Sequence, residues 1–229
     1  MDRKNLIQKN LNAVYSDIEK YKKVDKICLV AVTKYGDYGD IERLYELGHR
    51  DFGENRVEAL EEKQAVAKSL GHHDLRWHFI GNLQSNKIER LLAIENLAMI
   101  HSIIKFEHLQ KISKLQKKPL DFFIQVNTSH EDEKSGLENL NELRDFIQKY
   151  SQADFPLLKL KGLMTMGKIR TDDIQASAKE CFSKLAEYRD GLALAHPLDL
   201  SMGMSSDYIY ALENGANYLR IGSTLFKSI

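Results

Sequence analysis

The sequence predicts an α/β fold, a (β/α)₈ TIM barrel with an N-terminal lead-in helix, and three observations carry that prediction. Short apolar, β-branched runs alternate with amphipathic segments along the chain, the pattern of a parallel sheet with right-handed crossovers. About eight such strand–helix units fit into roughly 200 residues, the small end of the range for a closed barrel. No Gly-x-Gly-x-x-Gly opens an early helix, which weakens the dinucleotide-binding form of the alternative, an open doubly wound sheet.

The elements follow in order. Ile7, Leu11, Val14, Ile18 and Tyr21 recur at helical spacing, so residues 1 to about 22 read as an amphipathic lead-in helix. Residues 27–34 are a continuous apolar run, as in strands buried on both faces; the run ends abruptly in Lys34 before the turn chemistry of Tyr35-Gly36-Asp37. Residues 40–47 read as a helix stopped by Gly48, 51–55 as a strand and its exit, and 56–70 as a charged helix closed by Gly71. The third strand is 75–81, followed by a helix over 85–94, a strand over 97–102 and a helix over 106–115. Pro119 precedes the fifth strand at 122–127, and a helix follows at 139–150. Strand 158–166, the long helix 172–189, strand 198–202, helix 206–214 with Gly215 as its stop, and strand 218–221 complete the series. With no internal repeat or low-complexity segment, residues 1–229 are read as one domain.

Composition narrows the function. The 229 residues can bury a substantial core, and 43% hydrophobic with 29% charged residues is an ordinary soluble globular mix. The 33 basic and 33 acidic residues cancel, leaving no bulk charge to draw nucleic acid, membrane or an acidic partner. Cys28 in the first strand and Cys181 in a helix form no disulfide framework and read as small buried hydrophobes, which places the chain in the reducing cytoplasm. The charged start, Asp2 to Lys4, lacks a signal-peptide core, and no apolar run approaches the roughly 20 residues of a membrane span. Asn127-Thr128-Ser129 matches a glycosylation sequon, without meaning in that compartment.

The chemistry points to one end of the barrel. A lysine at the C-terminal mouth of a buried strand sits where barrels place their reactions. Partial desolvation there disfavours the ammonium, and a neutral amine condenses with aldehydes. The ordinary alternative is a rim lysine that keeps its charge in water. Polar residues and glycines share that mouth, among them Asn55, His78, Ser201, Arg220 and Gly222, where a plain rim shows β-branched fillers. The loops after strands seven and eight, 201–206 and 222–224, carry glycines and hydroxyls suited to a phosphate, or to a plain helix cap and turn. Arg220 inside a strand requires a partner, a carboxylate or a ligand. His78 between Trp77 and Phe79 reads equally as a satisfied core histidine. His72-His73-Asp74 reads as a solvated loop rather than a metal site. Residues 162–169 have the glycine and lysine spacing of a P-loop, but Ile169 replaces its Ser/Thr, so they read as the end of strand six.

Six segments stand in register: Ala31-Val32-Thr33-Lys34, Phe52-Gly53-Glu54-Asn55, residues 77–87, residues 162–166, residues 200–207 and Arg220-Ile221-Gly222-Ser223. Together they resemble the pyridoxal-phosphate homeostasis protein family, single-domain relatives of the alanine racemase barrel domain. The resemblance implies that Lys34 carries pyridoxal 5′-phosphate (PLP) as a Schiff base and that Ser201, Gly222 and Ser223 hold its phosphate. It implies an arginine, Arg220, at the pyridine nitrogen, and a cofactor lined by Asn55, His78 and Met202. An arginine there discourages ring protonation and weakens the cofactor as an electron sink. The loop 127–136 is only loosely like the family's, so nothing catalytic is carried over from it. The sequence given holds no racemase-type second, β-rich domain to supply the second base that racemisation needs.

The expected function is therefore a monomeric carrier that buffers PLP and delivers it to apo-enzymes, rather than an enzyme. A racemase-type enzyme, or a cofactor-free phosphate-binding Schiff-base barrel enzyme, is the alternative.

Overall fold

The computed structural model describes residues 2–34, 36–129, 131, 134–168 and 171–227. Eight parallel strands close in sequential order: β1 (Cys28–Val32), β2 (Asp51–Glu54), β3 (Arg76–Phe79), β4 (Leu97–Ile103), β5 (Leu120–Gln125), β6 (Leu158–Met164), β7 (Asp199–Ser201) and β8 (Tyr218–Ile221). β8 pairs back onto β1 with Ala31 opposite Ile221, so the sheet has no edge. The helices are α1 (Arg3–Tyr21), α2 (Tyr38–Glu46), α3 (Val57–Ser69), α4 (Ile88–Leu92), α5 (Phe106–Leu115), α6 (Leu140–Gln152), α7 (Ile174–Gly191), α8 (Tyr208–Glu213) and α9 (Ser223–Phe226). This is the expected (β/α)₈ barrel.

The period-2 alternation of each strand separates two packing layers. Leu29, Ala31, Phe52, Trp77, Phe122, Leu163 and Leu219 join helix residues such as Ile41, Leu44, Leu60 and Leu185 in one continuous outer core. Burying each large side chain there contributes about 1.5–3 kcal/mol. The barrel interior holds a smaller apolar group, Met99, Phe123 and Met164, with Tyr218 packed against it. Buried polar side chains, among them His78, His101, Ser201 and Arg220, share that interior.

The lead-in helix is a structural tie between the first and last units. Its stripe Ile7, Leu11, Val14 and Ile18 is buried, and it packs on α2, α8 and α9. Asn10 Nδ2 donates to the carbonyls of Leu225 (3.2 Å) and Lys227 (3.0 Å), and Arg3 bridges Asp40 to the carbonyl of Phe226.

Differences from the sequence reading cluster at element ends. β1 stops at Val32, leaving Lys34 in the turn beyond it, and β6 stops at Met164. Residues 85–94 split into a 3₁₀ turn, Ser85–Lys87, and the short α4. Residues 162–168 do belong to the end of strand six and its exit; Ile169 lies outside the described residues. A Cβ on Gly162 would stand 1.9 Å from the carbonyl oxygen of Asp199 and 2.5 Å from the Phe123 ring. That glycine serves strand contact, not phosphate. Asn127, Thr128 and Ser129 are all buried, so the sequon is closed to glycosylation. No helix among the described residues is long and apolar enough to cross a membrane.

Candidate functional site

Lys34 stands two residues past the end of β1, in a turn, and is exposed. The sequence reading expects a partly desolvated amine; the strand ends earlier than expected and the side chain reaches solvent. The residue before it is held firmly. Thr33 is fully buried, and its Oγ1 donates to Glu54 Oε1 at 2.7 Å. Lys63, from α3, donates to the carbonyl of Thr33 at 2.6 Å and forms an ion pair with the same carboxylate oxygen. Glu54 Oε2 is buried with no hydrogen-bond partner among the described residues. This Thr33–Glu54–Lys63 clamp, which the sequence reading does not assign, fixes the backbone that carries Lys34. Asn55, the next residue after Glu54, is exposed at the same mouth.

The exits of β7 and β8 meet beside it, because β8 is the other neighbour of β1. The backbone N–H groups of Gly222 and Thr224 both donate to Ser205 Oγ at 3.2 Å, and Thr224 Oγ1 donates to the Ser205 carbonyl. Gly203 makes the turn that brings Ser205 across. It has φ +92°, and a Cβ there would lie 2.6 Å from that of Ala211, so no side chain fits. Gly222 lies at the expected place and Ser223 is exposed beside it at the first position of α9. Ser201 does not join them. It is fully buried, and its Oγ is engaged by His101 Nδ1 (2.8 Å) and Arg220 Nη1 (2.7 Å). The hydroxyl of this loop that meets the phosphate-type donors is Ser205, a position the sequence reading offers only as a hydroxyl or a helix cap.

Arg220 is buried at 4% exposure, and its hydrogen-bond acceptors among the described residues are a hydroxyl and a main-chain carbonyl. Nη1 donates to Ser201 Oγ and Nη2 to the carbonyl of Thr165 at 2.8 Å. Burial pushes its pKa down to about 10, against the pull of Asp207. His78 is the satisfied core histidine of the two readings. Its Nδ1 meets His101 Nε2 at 3.0 Å and its Nε2 meets Asp51 Oδ1 at 3.0 Å, so it reaches the mouth only through other residues. Met202 is fully buried in the outer core, one residue out of phase with inward-facing Ser201, and its side chain lines no part of the mouth.

Asp51 begins β2, so His78 points to the N-terminal end of the barrel. Burial raises the Asp51 carboxyl, but hydrogen bonds from His78 and Arg76 outweigh it and hold the group well below the usual carboxylate range. Cys28 is nearby, and burial, reinforced by Asp51, pushes its thiol up to about 12. Cys28, Asp51 and His78 are close enough to share a metal ion, but Asp51 is already paired with Arg76 at 2.5 Å and with His78. A cavity of about 200 Å³, bounded by Tyr15, Cys28, His49, Asp51 and Arg76, opens at this end. Barrels use that face for stability rather than chemistry. His72 is held by Tyr38 Oη at 3.0 Å and stacks on Tyr45, while Asp74 pairs with Arg50.

A closed barrel with an amine at the end of β1 and converging N–H donors at the end of β8 defines the class, and comparison with known proteins fixes it. Residues 7–228 match the family model described as "Alanine racemase, N-terminal domain". The chain belongs to the pyridoxal phosphate homeostasis protein family within that class. It is 34% identical to the family's protein in Schizosaccharomyces pombe over 225 residues, covering 95% of this chain and 91% of the relative. Against the Helicobacter pylori protein it is 37% identical over 229 residues, covering 96% and 98%. PipY of Synechococcus elongatus, solved without PLP, superposes with a TM-score of 0.81 at 30% identity, covering 96% of this chain and all 100% of PipY. The same protein solved with PLP bound gives 0.76 at 27% identity.

Proposed function

We propose that this chain binds PLP at the C-terminal mouth, holds it covalently on Lys34, and serves its intracellular storage and delivery. The observation that carries the reading is the donor set: two backbone N–H groups converge on one hydroxyl beside the strand that presents the lysine. An anionic oxygen in place of Ser205 Oγ takes both donors without rearranging the backbone, as a phosphate requires. The bound cofactor supplies an aldehyde that condenses reversibly with amines. Lys34 supplies the amine, and the condensation forms one C=N bond and releases one water. Gly222 permits the close backbone approach, while Ser223 and Asn55 stand exposed at the same mouth. Arg220 takes the role the family resemblance gives it, a cation at the pyridine nitrogen that discourages ring protonation. That disfavours carbanion chemistry and suits a carrier that hands PLP to apo-enzymes. His78 and Ser201 support the site from behind rather than touching the ligand.

Two free cysteines, Cys28 and Cys181, support a reducing, cytoplasmic location. We expect a monomer, and light scattering over a range of concentrations checks this; a mass of twice the 26.4 kDa chain at every concentration would contradict it.

Equilibrium titration with PLP and with phosphate-free pyridoxal tests the donor set. Ser205→Asp puts a carboxylate on the same N–H groups and repels the phosphate. PLP binding is expected to weaken by more than about tenfold, one 1.4 kcal/mol step, with pyridoxal binding unchanged. Equal PLP affinity in variant and parent would sink the assignment.

A further inference from the structure

Five polar side chains inside the barrel form one hydrogen-bonded chain. It runs from Asp51 at the start of β2, through His78 on β3 and His101 on β4, to Ser201 on β7 and Arg220 on β8. Its links measure 3.0, 3.0, 2.8 and 2.7 Å in that order. Hydrogen-bond complementarity assigns its direction. Arg220 can only donate, so Ser201 Oγ accepts, and the single hydroxyl hydrogen of Ser201 goes to His101 Nδ1. Burial, reinforced by His78 and Arg220, pushes the His101 pKa far down, so the ring is neutral and its one proton sits on Nε2. That proton goes to His78 Nδ1, and His78 Nε2–H donates to the Asp51 carboxylate. Every link then carries one hydrogen, and all point from the mouth towards Asp51. The reverse direction leaves the Ser201 hydrogen without this acceptor and requires a doubly protonated His78.

We infer that His101 is a positioning residue of the mouth: through Ser201 it fixes the direction in which Arg220 presents its guanidinium, although it touches no part of the mouth itself. The inference rests on the PLP-binding reading for its effect on ligand, but not for its geometry. The His101 ring is wedged face-on against Phe123 (4.8 Å between centroids) and edge-on to Tyr218 (5.8 Å), so it cannot rotate to offer Ser201 its other nitrogen. Among the described residues Ser201 is the one side chain that accepts from Arg220, beside the main-chain carbonyl of Thr165. Without His101 the Ser201 hydroxyl turns away and Arg220 loses its directed acceptor.

Two variants and two kinds of readout test this. His101→Phe keeps the ring volume and removes both nitrogens; Ser201→Ala is the milder change and breaks the same link. In the ligand-free protein, nitrogen NMR is expected to show His101 protonated at Nε2 and bare at Nδ1 near neutral pH. The Arg220 guanidinium hydrogens are expected to exchange slowly in the parent and much faster in either variant. PLP affinity is expected to fall about tenfold in each variant and no further in the double variant, because both cut one path.

Stability against pH gives a further signature. The groups facing His101 are His78 on β3, Arg220 and Tyr218 on β8, with Asp51 behind His78. A base whose folded pKa is depressed binds its proton only when unfolded. Folding is therefore weakened as pH falls below about 6.5, the unfolded value, by up to tenfold per pH unit until the folded pKa is reached. His101→Phe is expected to flatten that slope by one proton. A protonated Nδ1 in the parent, unchanged Arg220 exchange in a folded variant, or additive losses in the double variant would each overturn the inference. If the parent binds no PLP, the proposed function fails while the NMR and exchange results still decide the role of His101.

Discussion

Glu54→Ala is expected to cost about 3–5 kcal/mol of folding stability, the range for removing one partner of a buried ion pair. The Glu54 side chain has no solvent exposure and that of Lys63 has 13%, so the ammonium left behind is poorly hydrated. The hydroxyl of Thr33 loses its close acceptor as well. With domain stabilities of about 5–15 kcal/mol, the loss is a fifth or more of the total. Urea denaturation measures it as a lower midpoint with an unchanged slope. The pair itself is not expected to be a large net stabiliser, since taking two charges out of water offsets most of their attraction. Glu54→Leu combined with Lys63→Met is therefore expected to recover most of the loss. A shift below about 1 kcal/mol for Glu54→Ala would show that the clamp is solvated and does not fix Thr33.

The clamp also shows what one sequence can reveal. The barrel was legible because its strands are written as apolar runs such as 27–32, which turn chemistry ends, or as alternation such as Leu158-Lys159-Leu160-Lys161. The mouth was legible because Lys34 and Gly222 break those runs where a β-branched filler is the ordinary choice. Glu54 was not, because an acid at a strand exit reads as solvated until Lys63 is seen to cover it from α3. His101 was equally hidden: it sits inside β4 beside Ser102 among apolar residues, and its partners lie 23 and 100 residues away in sequence. Ser201 at the end of β7 and Ser205 in the loop after it are four residues apart, and their types alone do not say which faces the barrel interior. Strand phase decides it, and β7 is only three residues long. Met202 fails for the same reason, since a one-residue shift in phase sends a side chain to the opposite layer.

The second large effect is at Lys34. Its neighbours in the proposed site contribute hydrogen bonds and charge, each worth about 0.5–3 kcal/mol, whereas the lysine contributes the covalent link. Lys34→Ala is therefore expected to abolish covalent retention of PLP altogether, while leaving stability nearly unchanged because the side chain is exposed. Lys34→Arg, which keeps the charge but offers no amine able to condense, is expected to fail equally. A loss caused by Lys34→Ala but rescued by Lys34→Arg would mean that the residue acts as a counter-charge only.

The measurement that bears most directly on this account is borohydride reduction of the protein incubated with PLP, followed by digestion and mass spectrometry of the peptides. Reduction converts the C=N bond to a stable C–N bond and marks the amine that made it. The account predicts one labelled site, Lys34, saturating at one PLP per chain and absent from Lys34→Ala. Labelling spread over the surface lysines, or unchanged in the variant, would contradict it.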